Sequence, residues 1–397
     1  MQHVFTGKYP NEMFKSVIMS VLDNGHTISP RGMPTKEIQP AVNIWSEPDK
    51  MVMTTPGRKA NPFFTLFEAL WIVGGRSDSE SVCYYNKQLA QFLDGDYKEF
   101  HAPYGCRIRR WGINKEHIKS MLKIDEEQLH TEQVQHDQFA DCYELLKRDP
   151  DTRQAVISLW IPPFDYSKTI TNDRPCNDMI FFKARNGRLN MTVINRSNDL
   201  ILGLYSVNVA QFTLLQRVLA SCLGLKLGHY YHHSDSLHIY TDKREVIESV
   251  LNARYNFDVY NYVKPYDLSK EFLSLKEFDE QLKIFFELEQ AFRTEIVTND
   301  SLRTASKLKS RFLHGALCIC ESYILHKKKN YDESLSRLEK AYIDGLHDHV
   351  IACFEFLMRK YQSENIQDKM AEKIASILHT NLSPNDIVPI LRYILEH

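Results

Sequence analysis

A chain of 397 residues and 46.5 kDa with 43% hydrophobic residues can bury a sizeable core, as one large domain plus an extension or as two domains. Its formal net charge of −2 excludes a general nucleic-acid binder, which carries a basic excess, and suits a free nucleotide better than a polynucleotide. No apolar run approaches the roughly 18 residues that cross a membrane, and the eight scattered cysteines show neither a C-x-x-C pair nor a secretory leader, so reduced thiols in a cytoplasmic protein are expected.

In chain order, the first informative element is an apolar helix that holds Phe67, Glu68, Ala69 and Trp71. A carboxylate buried there needs a partner, whereas Trp71 serves either the core or a stacked ligand. Ala155 to Ile161 reads as a β-branched and aromatic strand, and Met179 to Ala184 and Leu189 to Ile194 flank the hairpin signal Arg185-Asn186-Gly187-Arg188. Asn208 to Leu223 is an apolar helix ended by Gly224. His232 and His233 point apart on a strand, so no metal is expected.

Only Gly315 and Gly345 follow Gly228, and from about Pro265 the chain reads as helical. Helical apolar spacing recurs over Leu282 to Phe292, Phe312 to Leu325, Leu335 to Tyr342 and Val350 to Tyr361. One loosely tetratricopeptide-like pair falls short of the three or so repeats a solenoid needs. Lys327, Lys328 and Lys329 read as a solvated loop.

The chemistry concentrates between these parts. Arg174-Pro175-Cys176-Asn177 sets a thiol just ahead of a strand, and Arg196-Ser197-Asn198-Asp199, Gly203, Asn208, His238 and Tyr240 follow. A cysteine attacks as its thiolate, with an ordinary pKa near ~8.5 that adjacent cations lower, so Arg174 and Arg196 are expected activators. Sulfur is also the side-chain nucleophile best suited to reversible addition to a polarised double bond. The competing reading of Cys176 is a small buried hydrophobe.

These residues resemble the thymidylate synthase family, which includes the deoxycytidylate and deoxyuridylate hydroxymethylases. Asp149-Pro150-Asp151-Thr152-Arg153 is similar to its segment that carries arginines into the partner subunit's phosphate site, and Pro175-Cys176 to its nucleophile motif. Arg196-Ser197-Asn198-Asp199-Leu200-Ile201-Leu202-Gly203 resembles its Arg-Ser-x-Asp-x-x-Leu-Gly signature, and His238-Ile239-Tyr240 its His-x-Tyr element. With Glu68 to Trp71 and Tyr104-Gly105, the likeness runs from Phe14 to Tyr255.

The resemblance implies an α/β fold, a mixed sheet with packed helices over residues 1–264, followed by a helical C-terminal extension over 265–397. It also implies one-carbon transfer from 5,10-methylenetetrahydrofolate to C5 of a pyrimidine nucleoside monophosphate, through a cysteine adduct at C6. Hydride from the folate would give a methyl product, and water a hydroxymethyl one. Cys176 would be the nucleophile, Glu68 the carboxylate of a proton relay, and Asn177 would stand where the family usually has a histidine. Arg31, Arg196 and Ser197 would hold the phosphate together with Arg153 from the other subunit of a homodimer. Asn208 would read the base, favouring uridylate, and His238 and Tyr240 would bind the sugar, while Asp199 and Trp71 would meet the folate.

Several departures leave the assignment open at particular points. Leu204-Tyr205-Ser206-Val207-Asn208 has one residue more than the family's Leu-Pro-Phe-Asn, so Asn208 is either the base reader or a helix N-cap. Asp199 is either a site residue or a cap. The family's short closing tail is not recognisable, and a catalytically silent nucleotide binder whose helical tail engages a partner is the alternative function.

Overall fold

The computed structural model describes residues 3–94, 100–111, 136–166, 171, 173–296, 303–360, 364–379 and 382–395. Among the described residues ten strands form two mixed sheets. β1 (His3–Gly7), β4 (Ala41–Trp45), β9 (Lys226–Ser234), β7 (Arg188–Asn195), β6 (Asn177–Arg185) and β5 (Val156–Ser158) make the six-stranded sheet in the order β1-β4-β9-β7-β6-β5. β2 (His26–Ile28), β3 (Thr35–Ile38), β10 (Leu237–Tyr240) and β8 (Asn198–Asp199) make the smaller sheet in the order β2-β3-β10-β8.

Local chemistry explains the hairpin. Asn186 and Gly187 both take positive φ (53° and 70°), as a tight two-residue turn between β6 and β7 requires. Strand alternation then turns Ile180, Phe182, Leu189, Met191, Val193 and Tyr230 into the core. Outward positions such as Val4, Ile194, Phe181 and Tyr231 stay exposed or half-buried.

Helices cover the inner face. They include α1 (Pro10–Asn24), α2 (Pro62–Val73), α3 (Ser79–Tyr85), α4 (Tyr104–Arg109), α5 (Gln138–Arg148) and the fully buried α6 (Val209–Cys222). The strand expected over Ala155 to Ile161 is shorter than its apolar run. It ends at Ser158, and Pro162 opens a helical turn soon after.

The helix expected to start at Asn208 starts earlier. Asp199 Oδ1 accepts from the amides of Ile201 (2.8 Å) and Leu202 (3.2 Å), and a π-helical stretch, Leu200–Asn208, runs directly into α6. A π-turn is one way a helix absorbs an extra residue, and here the stretch kinks at Tyr205 (φ −89°, ψ 36°) before it continues into α6.

The C-terminal third is helical, as its spacing predicts, in α7 (Leu275–Arg293), α8 (Arg311–Lys327), α9 (Tyr331–Ile343), α10 (His347–Lys360), α11 (Glu364–His379) and α12 (Pro384–Leu395). Tyr361, the end of one expected helix, lies outside the described residues. These helices pack on α2 and α3: Phe63 meets Tyr323 (5.1 Å between ring centroids) and Phe356 (5.5 Å), and Tyr85 donates to Glu289 (2.9 Å). A single apolar core therefore runs from the sheets into the C-terminal helices. Among the described residues no helix is long and apolar enough to cross a membrane.

Candidate active site

Cys176 opens onto two joined hollows, an inner chamber of about 240 Å³ and an outer cleft of about 1240 Å³. Both are lined by Glu68, Cys176, Ser197, Asp199 and Gly203. The chamber adds Trp71, Asn177, Asn208 and Gln211, and the cleft adds Arg31, Arg174, Arg196, His238 and Tyr240.

The thiol stands at the entrance to β6, and backbone contacts fix it. Tyr104 Oη accepts from the amides of Cys176 (2.9 Å) and Asn177 (3.4 Å), and the Arg196 amide donates to the Cys176 carbonyl (2.9 Å). Arg196 Nε donates to the Pro175 carbonyl (2.9 Å), which leaves Nη2 3.9 Å from Sγ. Burial raises this thiol and outweighs the Arg196 and Arg31 charges, while Asp173 and Asp178 push it further up. Arg196 thus lowers it as expected of a neighbouring cation, but Arg174 does not figure among the main charges that act on it and the net direction is upward.

Glu68 has the partner that its apolar helix demands. Gln211 Nε2 donates to Glu68 Oε2 (2.7 Å), yet burial dominates and pushes the carboxyl up to about 7. Asn208, one helical turn before Gln211, donates to Gln211 Oε1 (3.3 Å). Its N-cap reading is corrected: Asn208 is in helical geometry (φ −65°, ψ −41°), makes no cap bond and faces the chamber. A side chain at Gly203 would come within 2.6 Å of Asn198 Oδ1 and 3.2 Å of Asn208 Oδ1, so glycine keeps this corner open. Asn177 is buried and accepts from Asn195 Nδ2 (2.9 Å).

On the cleft side Asp199 serves as both cap and lining. It pairs in register with His238 across β8 and β10. Burial raises Asp199 and lowers His238, and each charge pulls the other back. His238 lies edge-on to Tyr240 (5.0 Å). Arg31, in a left-handed conformation (φ 54°), is exposed at the cleft.

Two expected site residues stand differently. Trp71 is chiefly a core residue, 4% exposed, with its indole N–H on the Asp78 carbonyl (3.2 Å), and it reaches only the chamber wall. Arg153 is exposed before β5 and lines neither hollow of its own chain.

Sequence reasoning missed Arg58, a buried guanidinium that donates to the Ile201 carbonyl (2.6 Å) and is lowered to about 10 by burial, with Asp199 opposing. Nothing local in Pro56-Gly57-Arg58 signals that contact. Gln211 was findable, because it lies three residues beyond Asn208 on one helix face.

The thymidylate synthase family profile matches residues 12–281, which include every group just described. The chain belongs to the thymidylate synthase family. It is 40% identical over 240 residues to a deoxyuridylate hydroxymethyltransferase of Bacillus phage SP01, covering 60% of this chain and 59% of that one. It is 34% identical over 205 residues to the enzyme of the same name from Pseudomonas phage M6, covering 51% and 52%. A third, from Delftia phage PhiW-14, is 27% identical over 222 residues, covering 53% and 55%. The chain thus spans between half and three fifths of the length of these three relatives.

Proposed function

We propose that this protein hydroxymethylates deoxyuridylate, taking the one-carbon unit from 5,10-methylenetetrahydrofolate. The observation that carries the reading is one 240 Å³ chamber shared by a nucleophilic thiol, a carboxyl poised near 7 and an amide, Cys176, Glu68 and Asn208. A silent nucleotide binder needs neither the thiol nor a carboxyl that changes protonation at neutral pH. The choice of deoxyuridylate and of water as the final acceptor is supported by the relatives' names and by a cleft wide enough to admit solvent.

In this reading Arg31, Arg196 and Ser197 hold the phosphate, since guanidinium forks suit a dianion, and His238 and Tyr240 meet the sugar. Asn208 offers an acceptor and a donor side by side to uracil N3–H and O4. Cys176 Sγ bonds to C6, and Glu68 holds and moves the proton at the base carbonyl. The folate supplies the methylene carbon that becomes attached to C5. The C5 proton leaves to a base and the methylene–nitrogen bond breaks to release tetrahydrofolate. Water then adds to the exocyclic methylene and completes the hydroxymethyl group as the sulfur leaves C6 as thiolate. Trp71, Phe92 and Phe100, with Asp199 beside them, give the chamber an aromatic and acidic lining that fits a pterin, and the cleft leaves room for the rest of a folate.

We further propose a cytoplasmic homodimer built on the outward sheet face, where Val4 (53% exposed) and Ile194 (37%) leave apolar surface uncovered in one protomer. Arg153 would then complete the phosphate site across the interface. Residues 1–264 would carry the chemistry, and 265–397 would buttress the cleft. Arg153→Ala is expected to weaken nucleotide binding by about 1.5–3 kcal/mol, one charge-assisted contact. Mixing that chain with a Cys176→Ser chain should restore part of the activity, because a mixed dimer holds one intact site. Absence of recovery under proven subunit exchange would assign Arg153 to its own subunit.

The direct test is mass spectrometry of products after incubation with methylenetetrahydrofolate and the four uridine and cytidine monophosphates, ribo and deoxy. Hydroxymethyldeoxyuridylate is expected, and binding without any product would overturn the assignment. Asn208→Asp, which accepts only, should shift specificity toward cytidylate by about 1–3 kcal/mol, read as the ratio of kcat/KM values.

A further inference from the structure

Three side chains that can ligate a metal meet in the C-terminal helices, beyond residue 281 where the match to the thymidylate synthase family stops. One donor atom each of His314, Cys318 and Asp344 lies within 4.8 Å of the other two, and none of the three lines the chamber or the cleft. Among the described residues no other such group of three occurs. No sequence motif announces it, since Asp344 stands 30 residues beyond His314.

The backbone builds the meeting point. His314 and Cys318 are four residues apart on α8, so they share one face of that helix. Asp344 closes α9 with its amide on the Lys340 carbonyl (3.0 Å), and Gly345 then takes φ 103° to turn the chain toward α10. Gly315 lets this turn come close to α8, because a Cβ there would stand 2.6 Å from Leu346 Cδ1 and 3.2 Å from Asp344 Cβ. Arg311 fastens the same turn by donating to the Ile343 carbonyl (2.9 Å).

The donors differ in depth. Cys318 is buried, the Asp344 side chain is 15% exposed and that of His314 48%. An ion among them would be gripped by sulfur from within and reached by water from outside. His314 Nδ1 lies 2.5 Å from Asp344 Oδ2, and the two would part to about 3.3 Å around a tetrahedral ion with bonds near ~2.0 Å. A histidine–aspartate contact alone is an ordinary helix-end pair; the sulfur on the same face makes it a ligand set. Burial pushes the Cys318 thiol up to about 12, with Glu321 and Asp344 adding and Arg337 and Lys340 opposing, so Sγ keeps its proton until a cation replaces it. Arg337 is itself engaged by Glu321 (3.1 Å) and Glu333 (3.2 Å), which offsets its repulsion of an ion. Thiolate with imidazole and carboxylate selects Zn²⁺ over Mg²⁺ or Ca²⁺, which take oxygen ligands.

We propose that His314 Nδ1, Cys318 Sγ and one Asp344 carboxylate oxygen bind a single Zn²⁺, with water as fourth ligand, and that the ion clamps the turn between α9 and α10 onto α8. On binding, Sγ releases its proton to solvent and bonds the ion as thiolate, Asp344 enters as its carboxylate, and the neutral imidazole carries its proton on Nε2. No electron is transferred. The proposal is independent of the nucleotide chemistry, because the ligands lie outside both hollows.

The test uses the reduced full chain, stripped with a chelator, and Zn²⁺ or Co²⁺ as the probe. Equilibrium dialysis should retain one zinc per chain, and Co²⁺ should show the thiolate charge-transfer band of a sulfur-ligated tetrahedral ion. Cys318→Ser should lose that band, whereas Cys176→Ser should keep it. His314→Gln, a change at a half-exposed position, should weaken zinc binding by at least about a hundredfold, the upper end of what even an outer-shell partner costs. Zinc should raise the Tm of wild type and leave that of His314→Gln unchanged. Each variant is checked for wild-type circular dichroism, and if Cys318→Ser does not fold, His314→Gln and Asp344→Asn decide the matter. No retained zinc, a band that survives Cys318→Ser, or equal zinc affinity in wild type and His314→Gln overturns the proposal.

Discussion

Cys176→Ser is expected to lower turnover by at least about a thousandfold while nucleotide still binds, because a hydroxyl at neutral pH is a far weaker nucleophile than a thiolate. The substitution removes only the reacting atom. Tyr104 and Arg196 hold residue 176 through its backbone, and Arg196 is anchored on the Pro175 carbonyl, so the phosphate ligands should stay in place. Burial raises the thiol, so the wild-type rate should climb with pH beyond neutrality as Sγ ionises. That limb should vanish in the serine variant. Stopped assays for hydroxymethyl product and calorimetric nucleotide titration read the two halves. A serine variant with a tenth of the wild-type rate would show that the reaction does not pass through this sulfur.

Much of this architecture is legible where the signal is local. Asn186-Gly187 fixes the β6–β7 hairpin, Gly224 ends α6, and the apolar spacing after Pro265 locates four of the C-terminal helices. The ordered groups from Cys176 to Tyr240 do line the joined chamber and cleft, while Arg153, earlier in the chain, lines neither. What is illegible depends on contacts between distant segments. His101, Arg107 and Asp165 form a buried cluster, with Arg107 giving both Nη atoms to Asp165 at 2.8 Å, yet they come from separate segments with no shared motif. Sequence likewise gives no means to weigh desolvation of Cys176 against Arg196. The π-helical solution to the extra residue before Asn208 is a third such case, since insertion alone does not say whether a helix bulges or restarts.

Glu68→Gln should stabilise the protein while removing most of its activity. The carboxyl ordinarily titrates at 4.5 and is pushed up to about 7 in the fold, chiefly by burial, with the Gln211 hydrogen bond opposing. Below 4.5 both folded and unfolded chains carry the proton, and Glu68 has no pH-dependent cost. Between 4.5 and about 7 the unfolded chain loses the proton while the folded one keeps it, so stability falls as pH rises. At pH 8 the accumulated cost is about 3 kcal/mol, from a shift of some 2.5 units at 1.36 kcal/mol each. Glutamine mimics the protonated acid at every pH and still accepts from Gln211. Urea unfolding at pH 8 should therefore show the variant more stable by about that amount, with the advantage gone below pH 4.5. An equal midpoint at pH 8 would mean that burial does not govern this carboxyl. The same substitution should cut turnover by about 10²–10⁴, because an amide can neither give up nor accept the proton that Glu68 holds at the base. Stability gained and activity lost in one variant is the signature of a site where a buried charge is kept for its proton transfer.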